Sequence, residues 1–230
     1  VARAIAEAAT MVGTFDKPRY VNFTENLCAH SRSKITGCTR CLDLCPTGAI
    51  TPNGNHVAID ENICAGCGAC ASVCPTGAAS YALPATDAVE RRLRTLLRSY
   101  RAAGGSNALV LIHDSEHGEP MIDALARFGE GLPANVLPLR VNEITQVSYD
   151  IFAAAFAFGA TGVALLARHR PKHDLSGLQG VIATSSKIIA GLGFGANLIQ
   201  LIETDDPDQM RAALMAQPPG TPSPKPAGFE

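Results

Sequence analysis

The sequence predicts two unlike folded units: a small cysteine-rich α+β unit, followed by an α/β unit built around a four-stranded parallel sheet. All eight cysteines lie in the first third of the 230 residues, which indicates one compact site there. Beyond them, short apolar runs alternate with helical patterns, as in strand–helix–strand units. A chain of this length accommodates one or two domains.

Charge and hydropathy argue against two classes of partner. Nineteen Lys and Arg stand against 21 Asp and Glu, so the chain lacks the basic excess of a nucleic-acid-binding protein. The longest uncharged run, 151–167, contains glycines and predicts a buried helix leading into a buried strand rather than a membrane span. The first residues do not have the pattern of a signal peptide. We therefore expect a protein that neither spans a membrane nor binds nucleic acid. A cytoplasmic location is expected on a separate ground, the sensitivity to oxidation of the cysteine site described next.

Four cysteines form the pattern C-x2-C-x2-C-x3-C followed by proline: Cys64, Cys67, Cys70 and Cys74, then Pro75. Three thiolates at this spacing hold one 4Fe-4S cluster, and the fourth reaches a second cluster. Zinc and disulfide bonds are the alternatives, because paired C-x2-C also occurs in zinc ribbons and the cysteine count is even. Three cysteines at every third position in glycine-rich sequence favour iron–sulfur clusters.

The first half of the unit repeats this pattern with one insertion. Ile35 stands where the first cysteine of the pattern is expected, but segment 20–28 aligns with segment 56–64, which makes Cys28 the equivalent of Cys64. The insertion therefore lies in the loop 29–37. The other equivalent pairs are Cys38 with Cys67, Cys41 with Cys70, and Cys45 with Cys74.

Residues 18–84 resemble a two-cluster bacterial-type ferredoxin domain, from which they depart in the inserted loop. The resemblance implies a ferredoxin-like α+β fold, two 4Fe-4S clusters, electron transfer without catalytic residues, and ligands that cross between the halves. Carried onto this sequence, the implied ligands of the first cluster are Cys28, Cys38, Cys41 and Cys74. The implied ligands of the second cluster are Cys45, Cys64, Cys67 and Cys70.

The inserted loop is basic. His30, Arg32 and Lys34, with Arg40 nearby, bring positive charge beside the cluster that Cys28 would hold. This charge predicts either a raised reduction potential or binding of an acidic partner, and a simple solvated loop is the alternative.

Three further segments flank the two units. Residues 1–17 predict an N-terminal helix over 2–12. Residues 85–105 predict a basic linker helix, because apolar residues recur at helical spacing from 89 to 100 among five arginines. Residues 217–230 are rich in proline and predict an extended tail or linker.

Residues 106–216 predict the α/β unit. Right-handed crossovers give the strand order 2-1-3-4. We expect strands over 108–113, 135–140, 162–167 and 197–203, and helices over 120–128, 148–159, 175–190 and 208–216. The glycines in 191–196 follow a helix instead of a strand, so they do not form a dinucleotide-binding fingerprint.

Four histidines follow two neighbouring strands of this sheet. His113 and His117 come after the first strand, and His169 and His173 come after the third. Ligands of open parallel sheets bind beyond the carboxyl ends of the strands, near such a switch point. A metal or small anionic ligand here is one interpretation, and polar surface loops are the other.

Residues 134–216 resemble the delta subunit of methyl-viologen-reducing hydrogenases, through segments 137–139, 151–163 and 202–204. The resemblance implies a redox partner of the dehydrogenase, hydrogenase or heterodisulfide-reductase type, formate dehydrogenase included. That family holds a 2Fe-2S cluster through cysteines, and segment 166–171 has none. The resemblance therefore extends to fold and partner class, not to the cofactor.

These observations predict an electron-relay polypeptide, an oxidoreductase subunit that carries two 4Fe-4S clusters and leaves catalysis to another protein. One alternative is an enzyme subunit with its own ligand or metal site in the histidine-bearing loops. A second alternative is an iron–sulfur redox sensor.

Overall fold

A computed structural model describes residues 1–14, 16–32, 35–223 and 226–227. Lys34, one of the basic residues singled out in the inserted loop, lies outside these residues. The described chain forms a cysteine-rich domain up to about residue 84 and an α/β domain after it.

The cysteine-rich domain consists of short elements that link its two halves. Strand β1 pairs with β4 in one antiparallel sheet and β2 pairs with β3 in another, so β1 of the first half lies against the last strand of the second. The elements are α1 (Ala2–Ala9), β1 (Val21–Phe23), a 3₁₀ turn (Glu25–Leu27), α2 (Arg40–Leu44), β2 (Ile50–Asn53), β3 (His56–Ile59), α3 (Ala69–Ser72) and β4 (Ala79–Tyr81).

The α/β domain is a parallel sheet in the order β6-β5-β7-β8, which is 2-1-3-4 when its strands are numbered along the chain. Every strand and helix of the sheet unit begins and ends within two residues of the predicted positions. The elements are α4 (Thr86–Ala102), β5 (Leu109–His113), α5 (Gly118–Phe128), β6 (Val136–Arg140), a 3₁₀ turn (Ile144–Gln146), α6 (Tyr149–Ala157), β7 (Gly162–Ala167), α7 (Ser176–Gly191), β8 (Ile199–Glu203) and α8 (Pro207–Ala216).

Helices cover both faces of this sheet, so its central strands β5 and β7 are buried along their whole length. One face packs against α4, α6 and α7 through residues such as Leu93, Phe152 and Val181. The other face packs against α5 and α8 through Leu125 and Met210. Successive side chains of a strand point to opposite faces, so β5 and β7 contribute to both cores.

Helix α4, which the sequence analysis treats as a linker, is a structural part of the α/β domain. Val89, Leu93 and Leu97 are buried in the same core as the sheet. Helix α4 therefore packs as one layer against the sheet, over residues that the sequence predicts as a linker. An amphipathic pattern alone does not distinguish a linker helix from a helix that forms one layer of a domain.

The two ends of the chain behave differently. Helix α1 is shorter than predicted and buries none of its side chains. The proline-rich segment after α8 is extended and returns along the amino ends of the strands: Gly220 N donates to Thr161 O at 2.8 Å, and Ala227 N donates to Ala157 O at 2.8 Å. Over its described residues, this segment therefore packs on the α/β domain.

Candidate iron–sulfur site

All eight cysteines are unpaired thiols, and all but Cys38 and Cys67 belong to or pack against the core of the cysteine-rich domain. That core contains Val21, Ile50, Val57 and Tyr81, so these six thiols lie in apolar surroundings. Cys28 and Cys70 are the most buried, with 7% and 8% of their surface exposed. Pairs of equivalent cysteines come from equivalent elements, since α2 contains Cys41 and α3 contains Cys70.

The four cysteines predicted for the second cluster line one cavity, together with apolar side chains and the backbone of Gly68. Three of them, Cys64, Cys67 and Cys70, come from a single loop and the start of α3. The fourth, Cys45, follows α2 in the other half. The cavity thus draws its thiols from both halves of the repeat.

The four cysteines predicted for the first cluster are also near one another. Burial raises the pKa of Cys41 to about 11, and the charges of Cys38, Cys74 and Cys28 contribute to the rise. Here Cys74 is the residue from the other half. Cys41 therefore interacts electrostatically with the other three thiols of this group.

The two groups adjoin each other. Burial raises the pKa of Cys70, and the neighbouring charges that add to this effect are those of Cys67, Cys64, Cys41 and Cys45. Of these, Cys41 belongs to the first group. Buried thiols that repel one another as thiolates are stabilised when they bind iron, because the metal replaces their protons. The donor set therefore fits iron–sulfur clusters.

The two crossing cysteines share a local environment that differs from that of Cys41 and Cys70. Burial raises the pKa of Cys45 and of Cys74, but hydrogen bonds outweigh it and leave both below the ordinary value. Thr47 Oγ1 lies 3.7 Å from Cys45 Sγ, and Thr76 Oγ1 lies 3.7 Å from Cys74 Sγ. The repeated Cys-Pro-Thr-Gly-Ala sequence thus gives both thiols a threonine hydroxyl as partner.

The comparisons agree with this chemistry. Residues 34–78 match a family described as a 4Fe-4S dicluster domain. The match supports a ferredoxin-type iron–sulfur domain that carries 4Fe-4S clusters and transfers electrons. It contains seven of the cysteines, and Cys28 lies upstream of it. No curated protein matches the chain.

Basic side chains hold the loops of this 4Fe-4S domain through main-chain carbonyls. Arg32 donates to Asn26 O, whereas Lys17 Nζ donates to Asn62 O at 2.7 Å and to Cys64 O at 2.6 Å. Asn26 and Asn62 are equivalent in the repeat. Arg32 is among the basic residues predicted to matter in the inserted loop, whereas no sequence pattern marks Lys17, because Lys17 lies outside the repeated segments.

His30 lies in the inserted loop 29–37 of the first half. Only 6% of its surface is exposed, and its Nδ1 lies 2.9 Å from Cys38 O. Its ring therefore helps to fix the backbone at a predicted cluster ligand. Arg40, in contrast, is exposed.

The α/β domain also contributes residues to this site. Thr145, in the 3₁₀ turn after β6, donates to Cys67 O. Asn142 Nδ2 donates to Tyr81 OH at 2.7 Å, and Tyr81 OH donates to Gly66 O at 2.6 Å. No local pattern marks these residues, because they are far along the chain from the loop that they contact.

The histidine-bearing loops meet, but their rings do not converge. Arg168 and Lys172 both pair with Glu116, which joins the loop after β7 to the loop after β5. His117 Nε2 lies 2.9 Å from Thr204 O, and His173 Nε2 lies 4.0 Å from Glu143 Oε1.

The remaining two histidines are also apart from a common point. His113 is buried with its Nδ1 2.9 Å from Asp114 O, whereas the side chain of His169 is exposed. In the described parts of the chain, no three His, Cys, Asp or Glu side chains come together to hold a single metal ion. The cysteines of a cubane bind different irons, so their sulfurs need not meet at one point.

No helix in the part of the chain that the structure describes is long and apolar enough to cross a membrane.

Proposed function

We propose that the chain is an electron relay that carries two 4Fe-4S clusters with crossed ligation. The observation that carries this proposal is the cavity whose walls combine Cys45 of the first half with three thiols of the second. The ligands of the first cluster are Cys28, Cys38, Cys41 and Cys74. The ligands of the second cluster are Cys45, Cys64, Cys67 and Cys70.

The chemistry that the clusters supply when bound is one-electron transfer. The chain itself provides thiolates, apolar walls that exclude water, and backbone turns that wrap the site. Cys41 interacts with thiols of both groups, which supports a short separation between the clusters. A short separation favours passage of electrons through the domain.

The partners that we propose are a dehydrogenase or hydrogenase-type protein, such as a formate dehydrogenase or a heterodisulfide-reductase-like protein, and a second electron carrier. The resemblance of residues 134–216 to a hydrogenase delta subunit supports this partner class. A cytoplasmic location is also part of the proposal, because eight unpaired cysteines suit a reducing compartment.

Anaerobic reconstitution tests the relay. The purified chain should bind about eight irons, two clusters of four. It should accept and return electrons with artificial donors and acceptors, without turning over a substrate. Iron content well below this value, or turnover that persists through purification, would disprove the proposal.

A second candidate function is an enzyme subunit with its own ligand site. A crevice at the carboxyl ends of β5 and β7 is lined by Asp114, Glu143, Lys172 and His173. Burial raises the pKa of Glu143, which gives the crevice one group suited to proton exchange. Lys172 is already paired with Glu116, so a ligand would have to displace that carboxylate. Substrate-dependent turnover that Glu143→Gln abolishes would favour this function over the relay.

A further inference from the structure

Two consecutive peptide groups in the loop of the second cluster are held from outside the cluster cavity. The carbonyl of Gly66 accepts a hydrogen bond from Tyr81 OH, and the carbonyl of Cys67 accepts one from Thr145 Oγ1. Asn142 donates to the oxygen of Tyr81, which leaves the hydroxyl proton of Tyr81 for Gly66. Two of these residues, Asn142 and Thr145, belong to the α/β domain.

The direction of these bonds determines where the opposite ends of the same peptide groups point. In a trans peptide the N–H points away from the C=O. The carbonyls of Gly66 and Cys67 face Tyr81 and Thr145, so the N–H groups of Cys67 and Gly68 face the other side. Cys67 and Gly68 both line the cavity that contains the four thiols.

Close packing fixes this arrangement. Gly68 has φ +78°, and an added Cβ there would lie 2.6 Å from Gln146 Cβ. The 3₁₀ turn that contains Thr145 and Gln146 therefore lies directly against the loop. Thr145 and Gln146 are both buried, so this contact also keeps water away from the outer side of the loop.

We infer that Thr145 and Tyr81, with Asn142 behind Tyr81, are positioning residues that raise the reduction potential of the second cluster. They aim two backbone N–H groups at its sulfurs, and a peptide whose carbonyl is hydrogen-bonded is a stronger N–H donor. Hydrogen bonds to cluster sulfurs and solvent exposure set the potential of such clusters. This inference rests on the proposed assignment of Cys45, Cys64, Cys67 and Cys70 as ligands.

The equivalent loop of the first half is held differently. Cys38 is the equivalent of Cys67, and its carbonyl is bonded by His30 from within the cysteine-rich domain. Removal of the Thr145 or Tyr81 hydroxyl should therefore change the second cluster and leave the first unchanged.

The test is a redox titration of the full-length chain, reconstituted anaerobically and monitored by electron paramagnetic resonance. Thr145→Val and Tyr81→Phe each remove one hydroxyl while keeping the shape of the side chain. Each should lower the ratio of reduced to oxidised second cluster about threefold at a fixed solution potential, which is ~30 mV for a one-electron couple. Thr145→Ser should restore the wild-type potential.

A matched control is Thr161→Val. Thr161 Oγ1 donates to Ala108 O at 3.2 Å inside the α/β domain. This variant therefore removes a comparable hydrogen bond at the amino ends of the strands, at the opposite end from Thr145. It should leave both potentials unchanged.

The outcomes separate this inference from the relay. Unchanged potentials in Thr145→Val and Tyr81→Phe, or an equal shift in both clusters, would overturn the positioning role while the relay stands. Absence of a second cluster from the wild-type chain would overturn the relay itself. If Thr145→Val fails to retain the cluster, Tyr81→Phe alone decides, and a potential equal to that of the wild type would overturn the role.

Discussion

The two halves of the cysteine-rich domain are near copies in sequence, but they lie in different surroundings. The first half carries an inserted loop, in which His30 and Arg32 bond to the backbone of the same half. The second half accepts a hydrogen bond from Thr145 of the α/β domain, whereas the first half touches that domain through the apolar side chain of Leu44. A duplicated site can therefore become two unlike sites through what packs against it, while the thiols stay the same.

The two halves also differ at one equivalent position between the second and third cysteines of each half. The first half has Thr39 where the second has Gly68. Gly68 is required because its backbone is left-handed and Gln146 leaves no room for a side chain. The α/β domain can approach the second loop this closely because that position has no Cβ.

The largest predicted effect comes from removing equivalent ligands. Cys28→Ser should abolish the first cluster and Cys64→Ser the second, and each variant should retain about half of the iron. Iron analysis with electron paramagnetic resonance measures this. If Cys28→Ser retained both clusters, the equivalence of Cys28 and Cys64 would be wrong, and the first cluster would lack its assigned fourth ligand.

The next effect is on stability. Gly68→Ala adds a Cβ that would lie 2.6 Å from Gln146 Cβ, so the contact between the domains must open. The left-handed backbone alone costs roughly 1–2 kcal/mol for a residue with a side chain. The midpoint temperature of thermal unfolding and the retention of the second cluster should both decrease.

Gly48→Ala is the control for Gly68→Ala. Gly48 also has a left-handed backbone, with φ +67°, but an added Cβ there would meet no atom within 4 Å. Gly48→Ala should lower stability only by the cost of placing a side chain on a left-handed backbone, and it should leave the contact between the domains intact. Equal destabilisation by the two variants would mean that the contact between Gly68 and Gln146 contributes nothing measurable.

A smaller effect is expected from the two cations. Lys17 bonds to Cys64 O, and Arg32 bonds to Asn26 O near Cys28. A nearby positive charge favours the reduced, more negative cluster, so Lys17→Ala should lower the second potential and Arg32→Ala the first. Exposed charges contribute roughly 0.2–1 kcal/mol, and the effect should weaken as salt is added. If Lys17→Ala lowered the potential of the first cluster and Arg32→Ala that of the second, the assignment of the ligands to the two clusters would be wrong.

The sequence predicts much of this molecule because the relevant signals are local. Buried strands such as β7 are continuous apolar runs, and helices such as α4 repeat apolar residues at helical spacing. The cysteine equivalences follow from the internal repeat. Thr145 and Asn142 carry no such signal, since each bonds to a residue that only the folded chain brings near. The role of α4 was missed for the same reason, because its pattern does not reveal which surface it covers.

The smallest predicted effect is a loss of stability of the α/β domain at low pH. Burial lowers the pKa of His113 below the value that it has in the unfolded chain. As the pH falls through the unfolded value of about 6.5, the unfolded chain takes up a proton that the folded chain does not, so stability contributed by neutral His113 is lost. We expect the midpoint temperature of unfolding of the α/β domain to decrease as the pH is lowered from about 7.5 to about 5.5. His113→Gln should reduce that fall.

Loosening of the α/β domain should expose the second loop more than the first, because Thr145 donates a hydrogen bond to Cys67 O in the second loop. Hydrogen exchange of the backbone N–H of Gly68 and of Thr39 measures the two loops separately. Faster exchange is expected at Gly68 when the pH is lowered, with little change at Thr39. Equal acceleration at both positions would mean that the two halves depend on the α/β domain to the same extent, and that the difference in their surroundings has no effect on their stability.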